Sequence, residues 1–112
     1  MSQITTHVLD TSIGKPAQGI SIALEQKNSE SWLKISEGIT NADGRLSDLI
    51  PKEKILPKGI YRLSFDTASY FQNQNIQTFY PQVTIEFEIT DSSHYHVPLL
   101  LNPFGYSTYR GS

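Results

Sequence analysis

The sequence predicts an all-β sandwich of seven or eight short strands with one short helix near residues 67–73. Three observations support this fold class. Short runs of alternating apolar and polar residues recur along the chain, turn-forming residues separate these runs, and long stretches with a helical period are missing. In a chain of 112 residues, this pattern is typical of a β-sandwich, and we expect residues 1–112 to form a single domain.

The alternating runs predict strands with one buried face. In the segment 83–89, every second residue from Val83 to Ile89 is apolar, and a period of two places these side chains on the same side of a strand. The segments 20–25 and 61–65 alternate in the same way. Each of these strands is therefore expected to present one face to a common core.

Turn-forming residues delimit the predicted strands. Residues 41–44 (Asn-Ala-Asp-Gly) predict a hairpin turn, and residues 102–105 (Asn-Pro-Phe-Gly) predict the turn between the last two strands. The segment 67–73 breaks the alternation. Asp66 or Thr67 can cap the start of one or two helical turns there.

Composition excludes several classes of function. Nine basic and eleven acidic residues give a net charge of −2 without a basic cluster, which argues against a nucleic-acid partner. The 38% hydrophobic content is typical of neither a membrane protein nor a disordered chain. The chain has no cysteine, so disulfides and thiolate chemistry are excluded. Residues 1–6 lack the features of a secretory signal, and we therefore expect a cytoplasmic protein.

Three histidines are candidates for acid–base chemistry. Alternation places His7 on the strand face opposite Ile4, whereas His94 and His96 flank Tyr95 and share one face of a later strand. Imidazole titrates near neutral pH, so two converging histidines can divide the roles of general acid and general base. Taken singly, each is more typical of a surface or hydrogen-bonded structural histidine.

Two arginines and the C-terminal segment are further candidates. Arg45 directly follows the 41–44 turn, which could hold its guanidinium towards a pocket, although solvated arginines are commoner at such positions. Arg110 could simply be a charge on the last strand. The segment 105–112 is rich in hydroxyl groups and β-patterned, which indicates that its last residue, Ser112, is held in place rather than frayed.

Three motifs follow one another along the chain. They are residues 7–11 (His-Val-Leu-Asp-Thr) with 14–17, then 40–45 (Thr-Asn-Ala-Asp-Gly-Arg), and finally 94–100 with 102–112, which ends in Tyr-Arg-Gly-Ser. Together they resemble the signatures of the 5-hydroxyisourate hydrolases, the transthyretin-related enzymes of urate breakdown. Each motif is weak alone, but three in this order, from the first strand to the last residue, are specific.

The resemblance implies a transthyretin-like (prealbumin-like) sandwich that assembles as a homotetramer with active sites at the dimer–dimer interface. It also implies hydrolysis of 5-hydroxyisourate to 2-oxo-4-hydroxy-4-carboxy-5-ureidoimidazoline, without a metal or other cofactor. The residues that the resemblance assigns to catalysis or substrate binding are His7, Arg45, His96, Tyr109, Arg110 and Ser112.

The resemblance also implies a role for each group. His7 and His96 would activate water and protonate the leaving nitrogen, in an order that the sequence leaves open. Arg45 would bind the anionic substrate and stabilise charge on oxygen. Ser112 would orient water or substrate through its hydroxyl or a terminal carboxylate. His94 is not assigned to this set and is expected to be structural.

Three alternatives use the same sequence features. The first is a transthyretin-like carrier of a small aromatic ligand, since a fold does not fix a function; the carriers lack the His, Arg and Tyr-Arg-Gly-Ser set present here. The second is an adhesive β-sandwich module, although such modules usually occur in tandem with secretion signals or disulfides. The third is a zinc enzyme, for which the spacing of the histidines gives no support.

Overall fold

The computed structural model describes residues 2–112 as two β-sheets with one apolar core and one short helix. The elements in chain order are β1 Ile4–Asp10, β2 Lys15–Pro16, β3 Ser21–Asn28, β4 Ser31–Ile39, β5 Arg45–Leu46, β6 Gly59–Phe65, α1 Thr67–Gln72, β7 Val83–Ile89, β8 Tyr95–Asn102 and β9 Gly105–Thr108. Seven strands have four or more residues, whereas β2 and β5 have two each. The all-β prediction is therefore confirmed. The strands β2 and β5 were not predicted, because two residues are too few to show an alternating pattern.

The two sheets differ in how they are connected. The first has the order β2-β1-β8-β9, and β5 also pairs with β1; the second has the order β4-β3-β6-β7. Strands β1 and β8 run parallel, whereas all other strand pairs between residues 2 and 112 are antiparallel. The parallel pair places the N-terminal strand directly beside the C-terminal hairpin, so residues far apart in sequence become neighbours.

The predicted alternation describes the core correctly. Val83, Ile85 and Ile89 of β7 are buried, and so are the apolar residues at alternate positions of β3 and β6. The inner positions of β1 and β8 complete this core: Ile4 and Leu99, for example, are fully buried. Burial of this apolar surface is the main stabilising contribution to the fold.

Helix α1 begins where the sequence predicts it. The side chain of Asp66 accepts a hydrogen bond from the backbone N–H of Ser69, which satisfies one of the free donors of the first turn. The buried Tyr70 donates its hydroxyl proton to a carboxylate oxygen of Asp10 at 2.7 Å. This bond ties the helix to the end of β1. Among residues 2–112, no helix has the length and apolar character needed to cross a membrane.

The turn at residues 41–44 is not the predicted hairpin. It connects β4, at the edge of the second sheet, to β5, which pairs with β1 in the first sheet. The side-chain oxygen of Asn41 accepts hydrogen bonds from the backbone N–H groups of Asp43 (2.9 Å) and Arg45 (3.0 Å). The turn residues were identified correctly, but local sequence does not show whether the strands flanking a turn pair with each other.

Candidate active site

The parallel pairing of β1 and β8 builds one wall of a polar site. Thr5 lies opposite His96, and His7 lies opposite Pro98. Because side chains alternate along a strand, Thr5 and His7 occupy the face of β1 opposite to the core residue Ile4. Both His7 and His96 are half-buried on this outer face of the first sheet.

A glycine positions Arg45 beside His7. The carbonyl oxygen of Gly44 accepts a hydrogen bond from the N–H of Val8 at 2.7 Å, so the turn presses against β1. Gly44 has a φ of +72°, and a Cβ at this position would lie 2.4 Å from the carbonyl oxygen of Val8. Only glycine fits there without displacement of the backbone. Arg45 then pairs with His7 across β5 and β1.

A second glycine positions the C-terminal residues. The N–H of Gly111 donates to the carbonyl oxygen of His96 at 2.8 Å, which forms an isolated bridge beyond β9. A Cβ on Gly111 would lie 2.5 Å from Cδ2 of His96, so the imidazole ring packs directly against this backbone. Ser112, which follows Gly111, lines the same cavity as His96.

These elements enclose a cavity of about 320 Å³, within the size range of small-molecule sites. The cavity is lined by Thr5, Thr6, Arg45, Ser47, His94, His96 and Ser112. It thus contains three of the predicted catalytic residues, and the fourth, His7, adjoins it through its pairing with Arg45. None of the lining side chains is a carboxylate, and the arginine favours an anionic ligand.

Sequence reasoning missed four residues that line this cavity: Thr5, Thr6, Ser47 and His94. The hydroxyl of Thr5 is hydrogen-bonded to Nε2 of His94 at 2.7 Å and to Nδ1 of His96 at 2.8 Å. The two imidazole rings lie 6.2 Å apart, centroid to centroid. Alternation along β1 is consistent with Thr5 and His7 sharing a face, but it gave no indication that this strand runs beside β8.

The surroundings of His96 favour its neutral form. Burial lowers the pKa of this imidazole below its ordinary value of 6.5, and Coulombic interactions with His94, Arg45 and His7 lower it further. Within residues 2–112, Nε2 of His96 has no hydrogen-bond partner, whereas Nδ1 is bonded to Thr5. A neutral imidazole with one free nitrogen beside a cavity can act as a general base at neutral pH.

Tyr109 and Arg110 lie outside this cavity. Both line a separate cavity of about 280 Å³ between β7 and the β8–β9 hairpin. The guanidinium of Arg110 stacks on the ring of Tyr95 at 4.2 Å, and its Nη2 is 3.3 Å from both the hydroxyl of Ser93 and the carbonyl oxygen of His94. Arg110 therefore holds the segment that carries His94, and its predicted contact with substrate stays a prediction.

In the described part of the chain, residues 2–112, no three histidine, aspartate or glutamate side chains are grouped so that they could hold a metal ion.

The fold and the site together define a transthyretin-like sandwich protein. Ionisable side chains line a cavity on the outer face of one of its sheets. The chain belongs to the HIUase/Transthyretin family, whose model matches residues 4–111. It is 46% identical over 110 residues to the 5-hydroxyisourate hydrolase of Salmonella dublin, a match that covers 97% of this chain and 80% of that protein.

Solved structures give the same assignment. The 5-hydroxyisourate hydrolase of Klebsiella pneumoniae superposes with a TM-score of 0.87 at 35% identity, covering 99% of this chain and 100% of that one. Sea bream transthyretin in complex with thyroxine superposes with a TM-score of 0.90 at 32% identity, covering 97% and 94%. Because the backbone fits a hydrolase and a thyroxine complex of transthyretin about equally well, the backbone alone does not distinguish catalysis from binding, and the residues in the cavity must do so.

Proposed function

We propose that this chain is a 5-hydroxyisourate hydrolase that acts in urate degradation. The family assignment and the 46% identity to the Salmonella dublin hydrolase support this function. The observation that carries it is the convergence of His96, Arg45 and Ser112 on one cavity, with His7 adjoining. These groups supply a base, an anion-binding cation and a hydrogen-bonding hydroxyl, which together are sufficient for hydrolysis of a cyclic amide.

In the proposed mechanism, His96 is the base. Its free Nε2 takes a proton from water while the water oxygen bonds to a ring carbonyl carbon. The carbonyl oxygen then carries negative charge, which the guanidinium of Arg45 stabilises. Collapse of this intermediate breaks the C–N bond, and the leaving nitrogen receives a proton from His7. The product is the ring-opened ureidoimidazoline carboxylate.

Ser112, Tyr109 and Arg110 have supporting roles in this proposal. Ser112 lies beside His96 and orients the water or the substrate. Arg110 acts indirectly, because it fixes the backbone of His94. Tyr109 is 58% exposed, and it would contact substrate only from a neighbouring subunit.

We further propose a cytoplasmic homotetramer with the sites at its dimer–dimer interface. The cavity opens on the outer face of the first sheet, where a second copy of the chain can cover it. Strands β7 and β9 are both sheet edges, and such edges require pairing or cover. Light scattering measures the assembly. A monomer with full activity would contradict the shared site.

The decisive experiment is to mix the chain with freshly generated 5-hydroxyisourate and to follow the ultraviolet decay against the spontaneous rate. We expect a faster decay, and a loss of roughly 10²–10⁴-fold in rate on replacing His7, Arg45 or His96 by Ala. Addition of a chelator should leave the rate unchanged. Decay at the spontaneous rate would refute the function, whereas activity abolished by chelator and restored by zinc would refute the metal-free mechanism.

A carrier of a small aromatic ligand is the second candidate, and the superposition on the thyroxine complex of sea bream transthyretin favours it. A carrier needs a cavity that holds its ligand unchanged. The cavity here instead presents two imidazoles and a guanidinium. Calorimetry with thyroxine, beside the decay measurement, distinguishes the two: tight binding without turnover would indicate a carrier.

A further inference from the structure

The hydroxyl of Thr5 bridges two histidines, and this arrangement couples their tautomers. We propose that His94 is a positioning residue which acts through Thr5 to keep Nδ1 of His96 protonated and Nε2 bare. This inference rests on the proposed function, because it specifies how His96 is prepared to act as the base. It also gives a role to a histidine that the sequence assigned to structure alone.

A single hydroxyl proton is shared between two histidine nitrogens. Thr5 has one O–H, and its side chain lies between Nε2 of His94 and Nδ1 of His96 at 2.7 and 2.8 Å. A hydroxyl can donate to only one of two such nitrogens, so the other nitrogen must carry a proton and donate to the hydroxyl oxygen. Thr5 is only 6% exposed, which leaves little access for water to replace either bond.

Two arrangements satisfy both bonds when the rings are neutral. In the first, Thr5 donates to His94, Nδ1 of His96 donates to Thr5, and Nε2 of His96 is bare. In the second, every bond is reversed, and His96 carries its proton on Nε2. The tautomer of His94 therefore dictates the tautomer of His96, although the two rings lie 6.2 Å apart.

Only the first arrangement suits a base. When Nε2 of His96 takes a proton from water, its Nδ1 still donates to Thr5 and Thr5 still donates to His94. No hydrogen bond has to reverse during the reaction, so the site is organised for the imidazolium before that ion forms. In the second arrangement Nε2 already carries a proton, and His96 cannot accept another there.

The surrounding contacts fix the geometry of this relay. Gly111 packs against the Cδ2 edge of the His96 ring, opposite to the Nδ1 edge that Thr5 holds. Arg110 holds the carbonyl oxygen of His94. The ring of His96 and the backbone that carries His94 are thus constrained, and a change at Thr5 should alter proton positions more than the position of the His96 ring.

Paired variants separate the relay from a merely structural role. Thr5→Val keeps the shape of the side chain but removes the hydroxyl, whereas Thr5→Ser keeps the hydroxyl. His94→Gln can place a carbonyl oxygen where Nε2 accepts from Thr5, whereas His94→Leu cannot. Thr67→Val is the matched control, because it removes a different buried hydroxyl, which donates to the carbonyl oxygen of Tyr80 outside the cavity.

The measurements are kcat and KM for 5-hydroxyisourate, and ¹⁵N NMR of the three imidazoles. We expect Thr5→Val and His94→Leu to lower kcat by roughly 10- to 100-fold with little change in KM, which is the range found when a metal-bound histidine loses the partner that fixes its tautomer. Thr5→Ser, His94→Gln and Thr67→Val should retain most of kcat. In the wild-type protein, the ¹⁵N shifts should show a protonated Nδ1 and a bare Nε2 on His96, and this pattern should be lost in Thr5→Val.

The two proposals fail in distinguishable ways. A wild-type protein that leaves the decay of 5-hydroxyisourate at its spontaneous rate would refute the hydrolase function, while the NMR tautomers would still test the relay. An active wild-type protein whose Thr5→Val and His94→Leu variants keep its kcat and its His96 tautomer would overturn the relay alone. A wild-type His96 with its proton on Nε2 would also overturn it.

Discussion

Gly111 and His96 are in direct contact along both backbone and side chain. The N–H of Gly111 donates to the carbonyl oxygen of His96 at 2.8 Å, and the Cα of Gly111 lies against the imidazole ring. A Cβ at residue 111 would be 2.5 Å from Cδ2 of the ring, a separation that real Cβ atoms do not show. The glycine of the terminal Tyr-Arg-Gly-Ser motif therefore has a steric reason to be glycine.

Replacement of Gly111 by Ala should reduce activity far more than stability. The added methyl group must displace the ring of His96 or the backbone at residue 111, and a displacement of about 1 Å at a reacting group can cost on the order of 10²-fold in rate. Gly105→Ala is the control, because a Cβ there meets Asn102 at an ordinary 3.6 Å. Rates and melting temperatures of both variants test this, and an active Gly111→Ala protein would contradict the contact.

The depressed pKa of His96 makes stability depend on pH in a defined direction. The folded protein protonates His96 at a pH below 6.5, because burial and Coulombic interactions with its neighbours, Arg45 among them, lower the pKa of this imidazole. As pH falls through 6.5, the unfolded chain binds this proton before the folded one does, so the free energy of unfolding decreases. His96→Gln should flatten this pH dependence relative to the wild-type protein in urea titrations between pH 7 and 5. A parallel pair of curves would show that His96 titrates normally.

Much of the fold could be predicted from the sequence because its causes are local. Alternation with a period of two reports which residues face a core, and it correctly described β3, β6 and β7. Asp66 or Thr67 as a cap at the point where alternation stops was enough to place α1, and the structure shows that the cap is Asp66. The parallel pairing of β1 with β8 depends on contacts between residues about 90 positions apart, and no local pattern records it.

Some residues of the site could likewise be predicted from local motifs, whereas others depend on contacts that form only in the folded chain. Arg45 and Ser112 were named from motifs, and the structure places both beside His96. Thr5 was missed because threonine is common in strands and nothing in the sequence marks this one. It contacts the two histidines only because β1 pairs with β8 in the folded chain. His94 was interpreted as structural because its connection to His96, through hydrogen bonds to Thr5, forms only in the folded chain.

The turn before Arg45 should be sensitive to a single methyl group. Gly44 and Gly14 both have positive φ angles, of +72° and +66°, but a Cβ on Gly44 would clash with the carbonyl oxygen of Val8, whereas a Cβ on Gly14 meets nothing within 4 Å. Gly14→Ala should cost about 1–2 kcal/mol from backbone strain alone. Gly44→Ala should cost about 1–3 kcal/mol more through the clash.

The hydrolytic rate is the second measurement that distinguishes Gly44→Ala from Gly14→Ala. Gly44→Ala should also lower the hydrolytic rate, since the displaced turn moves Arg45 away from His7, whereas Gly14→Ala should keep the rate of the wild-type protein. Urea unfolding and the decay assay are applied to both variants. Equal destabilisation of the two would mean that the turn moves away from β1 at no cost.

A buried hydrogen bond between Tyr70 and Asp10 joins helix α1 to strand β1. Asp10 is 1% exposed, and the Tyr70 hydroxyl donates to its Oδ2 at 2.7 Å, while the backbone N–H of Ser12 donates to Oδ1. Tyr70→Phe removes the only protein donor to Oδ2 within residues 2–112 and leaves a buried carboxylate oxygen without a partner. We expect this to lower the free energy of unfolding by about 1–3 kcal/mol.

The pKa of Tyr70 defines the range over which this loss should be seen. Burial, followed by the hydrogen bond to Asp10, raises the pKa of the Tyr70 hydroxyl to about 12, so the group remains a donor throughout the neutral and mildly alkaline range. The destabilisation should therefore be nearly constant between pH 7 and 9 in urea titrations. Tyr80→Phe is the control, because that side chain is 36% exposed and its hydroxyl has no hydrogen-bond partner within residues 2–112; it should change stability by less than about 0.5 kcal/mol. If the two variants unfold at the same urea concentration, the bond from helix α1 to β1 makes no net contribution to stability.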